Sequence, residues 1–265
     1  MPSGLQAGTL SYQNLIIMNY EGTKANPGLQ GKKIVLLGGT SGFGLATALA
    51  AAGEGAEIIV VSSRQQKVDE ALAALPAGSK GYAVNLTDEQ QIAKLFDQIG
   101  EFDHLVFTAG ETLQLGTLVT TDLDAARRFF ALRYWGAFNA AKFGSGSIGA
   151  GGSIVFTSGL AGRRPHAGWA LGASICAAME GLTRALAVEL APVRVNIVSP
   201  GVVKTPLWGN MAEADRGALY QQTAERLPVG HVGDATEIAE AYLYLMRQTY
   251  GTGQVLVVDG GAMLV

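Results

Sequence analysis

The sequence predicts an α/β fold, a doubly wound sheet of seven parallel strands with helices on both faces. Two observations support this prediction. Short, mostly apolar runs recur along the chain, and longer amphipathic stretches separate them. Such runs are typical of parallel strands covered on both faces, and their alternation with helices indicates right-handed crossovers. The predicted strands cover residues 34–37, 57–62, 81–84, 104–107, 153–157, 194–198 and 254–258, and the predicted helices cover 42–52, 66–75, 88–99, 122–143, 170–191 and 234–247.

Length and composition limit the class of protein. The 265 residues fit one large α/β domain, and the 48% of apolar residues are enough for a substantial core. The formal net charge of −3 gives no electrostatic reason to expect a nucleic acid or an anionic membrane as partner. No apolar run reaches the roughly 18 residues that would span a bilayer. The single cysteine, Cys176, excludes an internal disulfide and fits a reducing compartment, so we expect a cytoplasmic protein.

The chain divides into two parts of unequal regularity. Residues 1–30 are polar and punctuated by glycine and proline, which predicts an N-terminal arm with some flexibility. From residue 31 to residue 265 the pattern of strands and helices is regular, and no linker or repeat interrupts it. We therefore expect a single domain over 31–265.

The most informative stretch is the turn between the first strand and the first helix. Its glycines follow the spacing G-x-x-x-G-x-G. Glycine tolerates strained dihedral angles and lets the backbone approach a diphosphate closely, and the helix that follows directs free N–H groups at the phosphates. A tight turn without a ligand is the alternative. The candidate phosphate-binding residues are Gly38, Thr40, Ser41, Gly42, Phe43 and Gly44.

The end of the second predicted strand bears on the choice of dinucleotide. An acidic residue at this point would bind the ribose 2′-hydroxyl of NAD, but the chain has Ser63 and Arg64 instead. A guanidinium matches a phosphate with two charge-assisted hydrogen bonds, so we predict NADP(H), with Ser63 and Thr40 as hydroxyl neighbours. The alternative for Arg64 is a solvated side chain at a helix start.

Three further loops at the same edge of the sheet carry residue types that suit this cofactor. We expect the loop after strand three to meet the adenine, the loop after strand four to lie against the adenosine ribose, and the loop after strand six to reach the nicotinamide carboxamide. The candidate residues in these loops are Asn85, Leu86, Thr108, Ala109, Gly110, Pro200, Gly201, Val203 and Thr205.

A set of motifs is spread over the chain from residue 31 onward. They are Gly38-x-x-x-Gly42-x-Gly44, Thr108-Ala109-Gly110, Thr157-Ser158-Gly159, the run from Glu180 to Leu190, Arg194-Val195-Asn196-x-x-x-Pro200-Gly201 and Gly253-Gln254-x-x-x-x-Asp259-Gly260-Gly261. Through these motifs the chain resembles a classical short-chain dehydrogenase/reductase. The resemblance implies a Rossmann fold, NAD(P)(H) binding, oxidoreductase activity and a homotetramer or homodimer.

The catalytic motif of that family is incomplete in this chain. The resemblance implies an Asn, a Ser and a Tyr-x-x-x-Lys. Ser158 matches the serine, whereas Arg133 stands at the asparagine position. The tyrosine and lysine positions fall on Gly172 and Cys176, or in a second register on Leu171 and Ile175. Neither register supplies a phenol or an amine, so we expect an atypical active site.

Few side chains are candidates for the missing chemistry. Ser158 would polarise the substrate, and Arg133 would stabilise an oxyanion or close the space left by the lysine. Ser158 could instead cap a turn, and Arg133 could pair with an acid in a subunit interface. His166 is a candidate proton donor, against an exposed loop histidine. We read Cys176 as a buried, inert thiol. No cluster of His, Cys, Asp and Glu has metal-ligand spacing.

The segment 204–230 is expected to form a lid over the nicotinamide. In it, Trp208 and Met211 are candidate substrate contacts, or they pack the lid onto the body. The helix over 122–143 is more apolar than one buried face requires, and the upper part of the helix over 170–191 has unusually small residues. Together these two helices suit a subunit interface.

The residues and the resemblance together predict an NADP(H)-dependent oxidoreductase with an atypical site. It would transfer hydride to or from a small carbonyl, imine or activated alkene. Two alternatives remain open at this point. One is a catalytically silent NADP(H)-binding protein that acts as a sensor or partner subunit. The other is a non-redox lyase or cyclase on the same fold.

Overall fold

Seven parallel strands form one sheet in the computed structural model, which describes residues 28–113 and 115–265. The strand order is β3-β2-β1-β4-β5-β6-β9. Strands β2 and β3 are added on one side of β1 and the later strands on its other side, so the topological switch point lies between β1 and β4. A second parallel pair, β7 with β8, stands apart from this sheet. The strands are β1 Lys33–Leu37, β2 Glu57–Ser62, β3 Lys80–Ala83, β4 Phe102–Phe107, β5 Ile148–Thr157, β6 Arg194–Pro200, β7 Val203–Lys204, β8 Gly233–Asp234 and β9 Val255–Val258.

Helices cover both faces of the sheet, and a separate apolar core fills the space on each side. The predicted doubly wound fold is therefore confirmed. The helices are α1 Gly42–Gly53, α2 Gln65–Ala74, α3 Glu89–Ile99, α4 Leu123–Phe130, α5 Ala137–Gly144, α6 Ala170–Glu189, α7 Glu213–Arg226 and α8 Ala235–Arg247.

The prediction of one continuous helix over 122–143 is wrong at its centre. A π-helical segment, Ala131–Gly136, separates α4 from α5. The apolar spacing of the sequence does not reveal it, because a π segment changes the hydrogen-bond partner of each residue without adding a glycine or proline as a marker. It matters for the site, because Arg133 lies within it.

Two boundaries differ from the prediction for identifiable reasons. Strand β5 begins at Ile148, whereas the prediction began it at residue 153. The first half of the strand is rich in glycine, and such a sequence predicts a loop. Residues 28–30 belong to the body of the domain, since Leu29 is buried in the core. The predicted arm otherwise lies outside the described residues. Among the described helices, Ala170–Glu189 alone is long and apolar enough to cross a membrane, and the partial burial of this helix in the fold makes that weak evidence.

Candidate active site at the carboxyl edge of the sheet

The glycine-rich turn after β1 packs too closely for side chains. Gly38 has φ +89° and Gly42 has φ +50°, which are left-handed values. A Cβ on Gly38 would lie 2.5 Å from the backbone nitrogen of Ala109. A Cβ on Gly44 would overlap the carbonyl oxygen of Gly38 and come within 2.5 Å of Thr108 Oγ1. Contact between the turn and the loop after β4 thus requires glycine at positions 38 and 44, and the left-handed φ requires it at position 42.

The N-terminus of α1 has the features that a diphosphate needs. Ser41 precedes the helix in an extended conformation and its side chain caps no N–H, and the first turn has no acidic residue. The first N–H groups of the helix therefore keep both their hydrogen-bonding capacity and the positive end of the helix dipole. The loop after β6 lies above, because a Cβ on Gly42 would be 3.8 Å from Thr205 Cβ and 3.7 Å from Pro206 Cδ. These residues fit a dinucleotide.

Arg64 lies at the carboxyl end of β2, next to this turn. The carbonyl oxygen of Val61 accepts hydrogen bonds from Gly38 and Gly39, which holds the two segments together. Ser63 and Arg64 are both exposed. No described residue accepts a hydrogen bond from the Arg64 guanidinium. The pKa of the Glu70 carboxyl is lowered mainly by its hydrogen bond from Lys67, and the charge of Arg64 adds to this. The structure thus brings Arg64 to the place where a ribose phosphate is predicted.

The remaining candidate loops line the same edge. The Asn85 side-chain oxygen accepts hydrogen bonds from the backbone nitrogen and the hydroxyl of Thr87, at 3.1 and 2.8 Å, so its amide NH₂ is the group left for a ligand. Leu86 is buried. Thr108 Oγ1 donates to the Gly38 carbonyl at 3.2 Å and joins the loop after β4 to the glycine turn. The loop from Pro200 to Thr205 is anchored through Gly201, whose N–H donates to the Val258 carbonyl.

A small cavity of about 30 Å³ opens beside these loops. By volume it holds one or two water molecules. Ser158, Arg133 and Cys176 meet here, and this is the polar end of the site. The lining residues are Phe107, Thr108, Ala109, Arg133, Thr157, Ser158, Ile175, Cys176 and Met179.

Arg133 is held rigidly over this cavity. One terminal nitrogen donates to the Glu111 carbonyl oxygen, the guanidinium carbon lies 4.8 Å from the centre of the Phe129 ring, and Gly110 leaves room for the guanidinium. Burial lowers the pKa of Arg133, yet a guanidinium stays charged in proteins. Its Nε has no hydrogen-bond partner among the described residues. Arg133 makes no ion pair of 4.0 Å or less with a described acid of this chain, and its pairing with an acid across a subunit interface stays a prediction.

Ser158 is positioned by α6. Its hydroxyl donates to the Cys176 carbonyl at 3.2 Å and lies 3.5 Å from Glu180 Oε1. Glu180 is buried and forms ion pairs with Arg163 at 3.4 Å and Arg184 at 3.9 Å. The prediction did not include Glu180, although a buried carboxylate two residues beyond a small-residue helical run could have been suspected.

Two further titratable side chains lie at this site: Cys176, whose surroundings differ from the prediction, and Glu111, which the prediction did not include. Cys176 is half-buried and lines the cavity with Arg133 and Ser158, rather than lying in a purely apolar setting. Burial raises the pKa of its thiol, the direction that an inert thiol requires. Glu111 was missed. Burial also raises the pKa of its carboxyl, and its Oε2 has no partner among the described residues. Its position directly after Thr108-Ala109-Gly110 was the sequence signal that could have indicated it as a site residue.

The other candidates lie away from the cavity. His166 is exposed and its ring contacts Trp169, with ring centres 5.9 Å apart. Trp208 is buried and its Nε1 donates to the Val203 carbonyl at 2.9 Å, so it packs its segment onto the body of the domain. Among the residues the structure describes, no group of three His, Cys, Asp or Glu side chains could hold a metal ion.

Comparison with known proteins gives matches over most of the chain. A family model described as enoyl-(acyl carrier protein) reductase matches residues 38–263. The short-chain dehydrogenase/reductase ATR9 of Stachybotrys chlorohalonatus is 36% identical, over 90% of this chain and 99% of the relative. The short-chain dehydrogenase/reductase ucsE of an Acremonium species is 35% identical, over 91% and 99%.

Solved structures agree with these matches. A small-chain dehydrogenase in complex with NADPH is 37% identical with a TM-score of 0.76, covering 89% of this chain and 100% of its own. The MalC reductase/Diels-Alderase from Malbranchea aurantiaca is 29% identical with a TM-score of 0.84, covering 91% and 100%. Sequence and fold agree that the chain belongs to the short-chain dehydrogenase/reductase family.

Proposed function

We propose that the protein is an NADP(H)-dependent oxidoreductase that transfers hydride between the nicotinamide and a small carbonyl compound or carbonyl-activated alkene. The observation that carries this proposal is the half-buried Arg133, whose guanidinium Nε is shielded from solvent, beside Ser158 in the cavity at the carboxyl edge of the sheet. The uncapped N-terminus of α1 and the exposed Arg64 support the choice of cofactor. The similar structure that holds NADPH supports it further.

NADPH, when bound, supplies the hydride. The part of Arg133 is to stabilise the negative charge that develops on the substrate oxygen, since fixed donors in a water-poor site act strongly on such charge. Ser158 orients that oxygen. Because the family tyrosine is absent, the proton comes from water in this proposal, and a carbonyl-activated alkene suits this best because its enolate needs no strong acid. The same buried cation disfavours a positively charged iminium, so imines are the weakest of the three substrate classes.

The test compares NADPH oxidation by wild-type protein and two variants over a panel of ketones and enones. Arg133→Ala should lower turnover by about 10²–10³-fold, the usual loss for one oxyanion donor, and Arg133→Lys should recover part of it. Arg127→Ala is the matched control, because Arg127 is exposed on the preceding helix and pairs with Asp124. Undiminished turnover in Arg133→Ala would remove Arg133 from the mechanism.

A cyclase is the second candidate function. It is favoured by the lack of a tyrosine and lysine in either register and by the similarity to a structure titled as a reductase/Diels-Alderase. In that case Arg133 would polarise a carbonyl without any hydride transfer. Product formation that is equally fast with NADP⁺ and with NADPH would identify it. Binding of both cofactors without any turnover would favour the silent alternative.

A further inference from the structure

Two neighbouring side chains at the site carry buried polar atoms that have no hydrogen-bond partner among the described residues. They are Oε2 of Glu111 and Nε of Arg133, and both are shielded from solvent. The described part of the chain has one other side-chain atom of this kind, the hydroxyl oxygen of Ser199. Buried polar atoms are nearly always hydrogen-bonded in folded proteins, so two unpartnered atoms on adjoining residues indicate that a ligand supplies the missing partner.

The backbone holds Glu111 against the guanidinium of Arg133. The carbonyl oxygen of Glu111 accepts a hydrogen bond from a terminal nitrogen of Arg133. Gly110 packs on the same group, because a Cβ built on it would lie 2.6 Å from Arg133 Cζ. Thr108 and Ala109, directly before it, line the cavity together with Arg133. The segment 108–111 thus runs along the guanidinium and places Glu111 at the edge of the polar cavity.

The surroundings favour a neutral carboxyl on Glu111. Burial raises its pKa, although its own backbone N–H and the charge of Arg133 act in the opposite direction. Among the described residues, no charged side chain other than Arg133 acts on this carboxyl, and the two form no ion pair of 4.0 Å or less. A carboxyl that is buried without such a pair keeps its proton more readily than an exposed one.

The ionisable groups of α6, on the other side of the cavity, do not replace that pair. Burial raises the pKa of the Cys176 thiol, which favours its neutral form. The Glu180 carboxylate already pairs with Arg163 at 3.4 Å and with Arg184 at 3.9 Å. Glu111 is therefore the one carboxyl at this site that has no cation paired with it among the described residues.

The two unpartnered atoms suit one ligand oxygen. A neutral carboxyl donates one hydrogen bond, and the Nε–H of Arg133 donates another. A carbonyl oxygen has two lone pairs and accepts both. Such donors stabilise the oxygen more strongly as it becomes negative during reduction.

We propose that the substrate oxygen is the missing partner of both atoms and that Glu111 is the catalytic acid of this site. This inference rests on the proposed function and deepens it: water remains the source of the proton, and Glu111 delivers it. The O–H bond of Glu111 breaks as the substrate carbon accepts hydride from NADPH, and the proton joins the substrate oxygen. The substrate thereby gains two electrons, the cofactor leaves as NADP⁺, and the Glu111 carboxylate takes a proton from solvent water.

The first test is the pH dependence of turnover with NADPH over the panel of ketones and enones. Turnover of the wild type should fall as the pH rises through the pKa of Glu111, because only the neutral carboxyl gives up a proton. Glu111→Gln keeps the size and one hydrogen-bond donor but has no proton to give. Its kcat should fall by about 10²–10⁴-fold with little change in KM, and this pH dependence should disappear. Glu111→Asp should recover part of the loss.

The second test needs no turnover. Infrared difference spectra between the wild type and Glu111→Gln should show the C=O stretch of a neutral carboxyl that persists above pH 4.5, the ordinary pKa of a glutamate. The band should shift in the complex with NADP⁺ and 2-cyclohexenone, which cannot accept hydride from the oxidised cofactor. The reason for the shift is that the O–H group then donates to the ketone oxygen.

Glu101→Gln is the matched control, since Glu101 is exposed directly before β4, at the opposite end of the strand that leads to Glu111. It should match the wild type in both tests, and thermal unfolding of each variant verifies folding. Wild-type kcat in Glu111→Gln, or a carboxyl band that is missing or unmoved by the ketone, would overturn the proposal. If the band shifts as expected but no compound of the panel oxidises NADPH, the redox function fails and the contact of Glu111 with the ketone oxygen stands.

Discussion

Arg64 is the residue on which the preference for NADPH over NADH is expected to depend. Because the guanidinium is exposed and has no hydrogen-bond acceptor among the described residues, it is free to bind a ribose phosphate. Arg64→Asp should weaken NADPH binding by about 10–100-fold, the range for losing charged hydrogen bonds, and should leave NADH binding unchanged or improved. Fluorescence titration with both cofactors measures this. Lys67→Ala, in the first turn of the helix that follows Arg64, is the control, and an unchanged NADPH/NADH ratio in Arg64→Asp would refute the assignment.

His104 gives the fold a pH dependence of its own. It is buried in β4, its Nδ1 lies 2.9 Å from Ser153 Oγ, and burial lowers its pKa to about 4. The unfolded chain takes up this proton near the ordinary pKa of 6.5, so it binds more protons than the folded chain between those values. Stability is therefore fully present above pH 6.5 and falls as the pH drops toward 4, by about 3 kcal/mol.

Chemical denaturation of the wild type and of His104→Gln, across that pH range, measures the effect. The glutamine retains a partner for Ser153 but takes up no proton, so its unfolding free energy should fall less between pH 6.5 and 4. Parallel slopes for the two proteins would show that other groups cause the acid sensitivity.

At the scale of elements, helix α1 contains two glycines with opposite surroundings, Gly44 packed at its start and Gly53 open at its end. Gly44→Ala would place a Cβ against the Gly38 carbonyl and Thr108, and should destabilise the fold by about 1–3 kcal/mol and weaken NADPH binding. Gly53→Ala is the control on the same helix, because its Cβ would meet nothing within 4 Å. It should be neutral or slightly stabilising, since alanine favours a helix. Thermal unfolding and NADPH titration distinguish the two, and equal stability would contradict the packing argument.

The cofactor edge could be predicted from the sequence, whereas the environment of the polar cavity could not. The glycine spacing and the position of Arg64 directly after a predicted strand are each features of a short stretch of sequence, so the cofactor edge could be predicted from local rules. Arg133, Cys176 and Glu111 come from three different elements, and their meeting depends on how α4, the π segment and α6 pack. Local rules placed Arg133 near the site through a motif, but they gave no indication of the environment of Cys176 or of the unpartnered Glu111 oxygen.

At the scale of the whole molecule, the π segment and α5 present an aromatic surface that no described residue of this chain covers. Trp135 is 55% exposed and Phe138 is 37% exposed, and their rings pack together with Tyr134. Exposed aromatic clusters of this kind are typical of interfaces, so we predict a homodimer or homotetramer that uses this face. Trp135→Glu with Phe138→Glu should give a smaller species in light scattering while NADPH binding is retained. An unchanged mass would place any interface elsewhere.

The π segment has a consequence for how the site is encoded. A π turn closes its hydrogen bonds over five residues instead of four, so Ala131–Gly136 holds a residue that regular winding would leave out. Removing Leu132 alone, a change that puts most helices out of phase, would here restore regular winding and turn the guanidinium of Arg133 to another side. The position of the Arg133 guanidinium thus depends on the number of residues between Phe130 and Ala137 as much as on their identity.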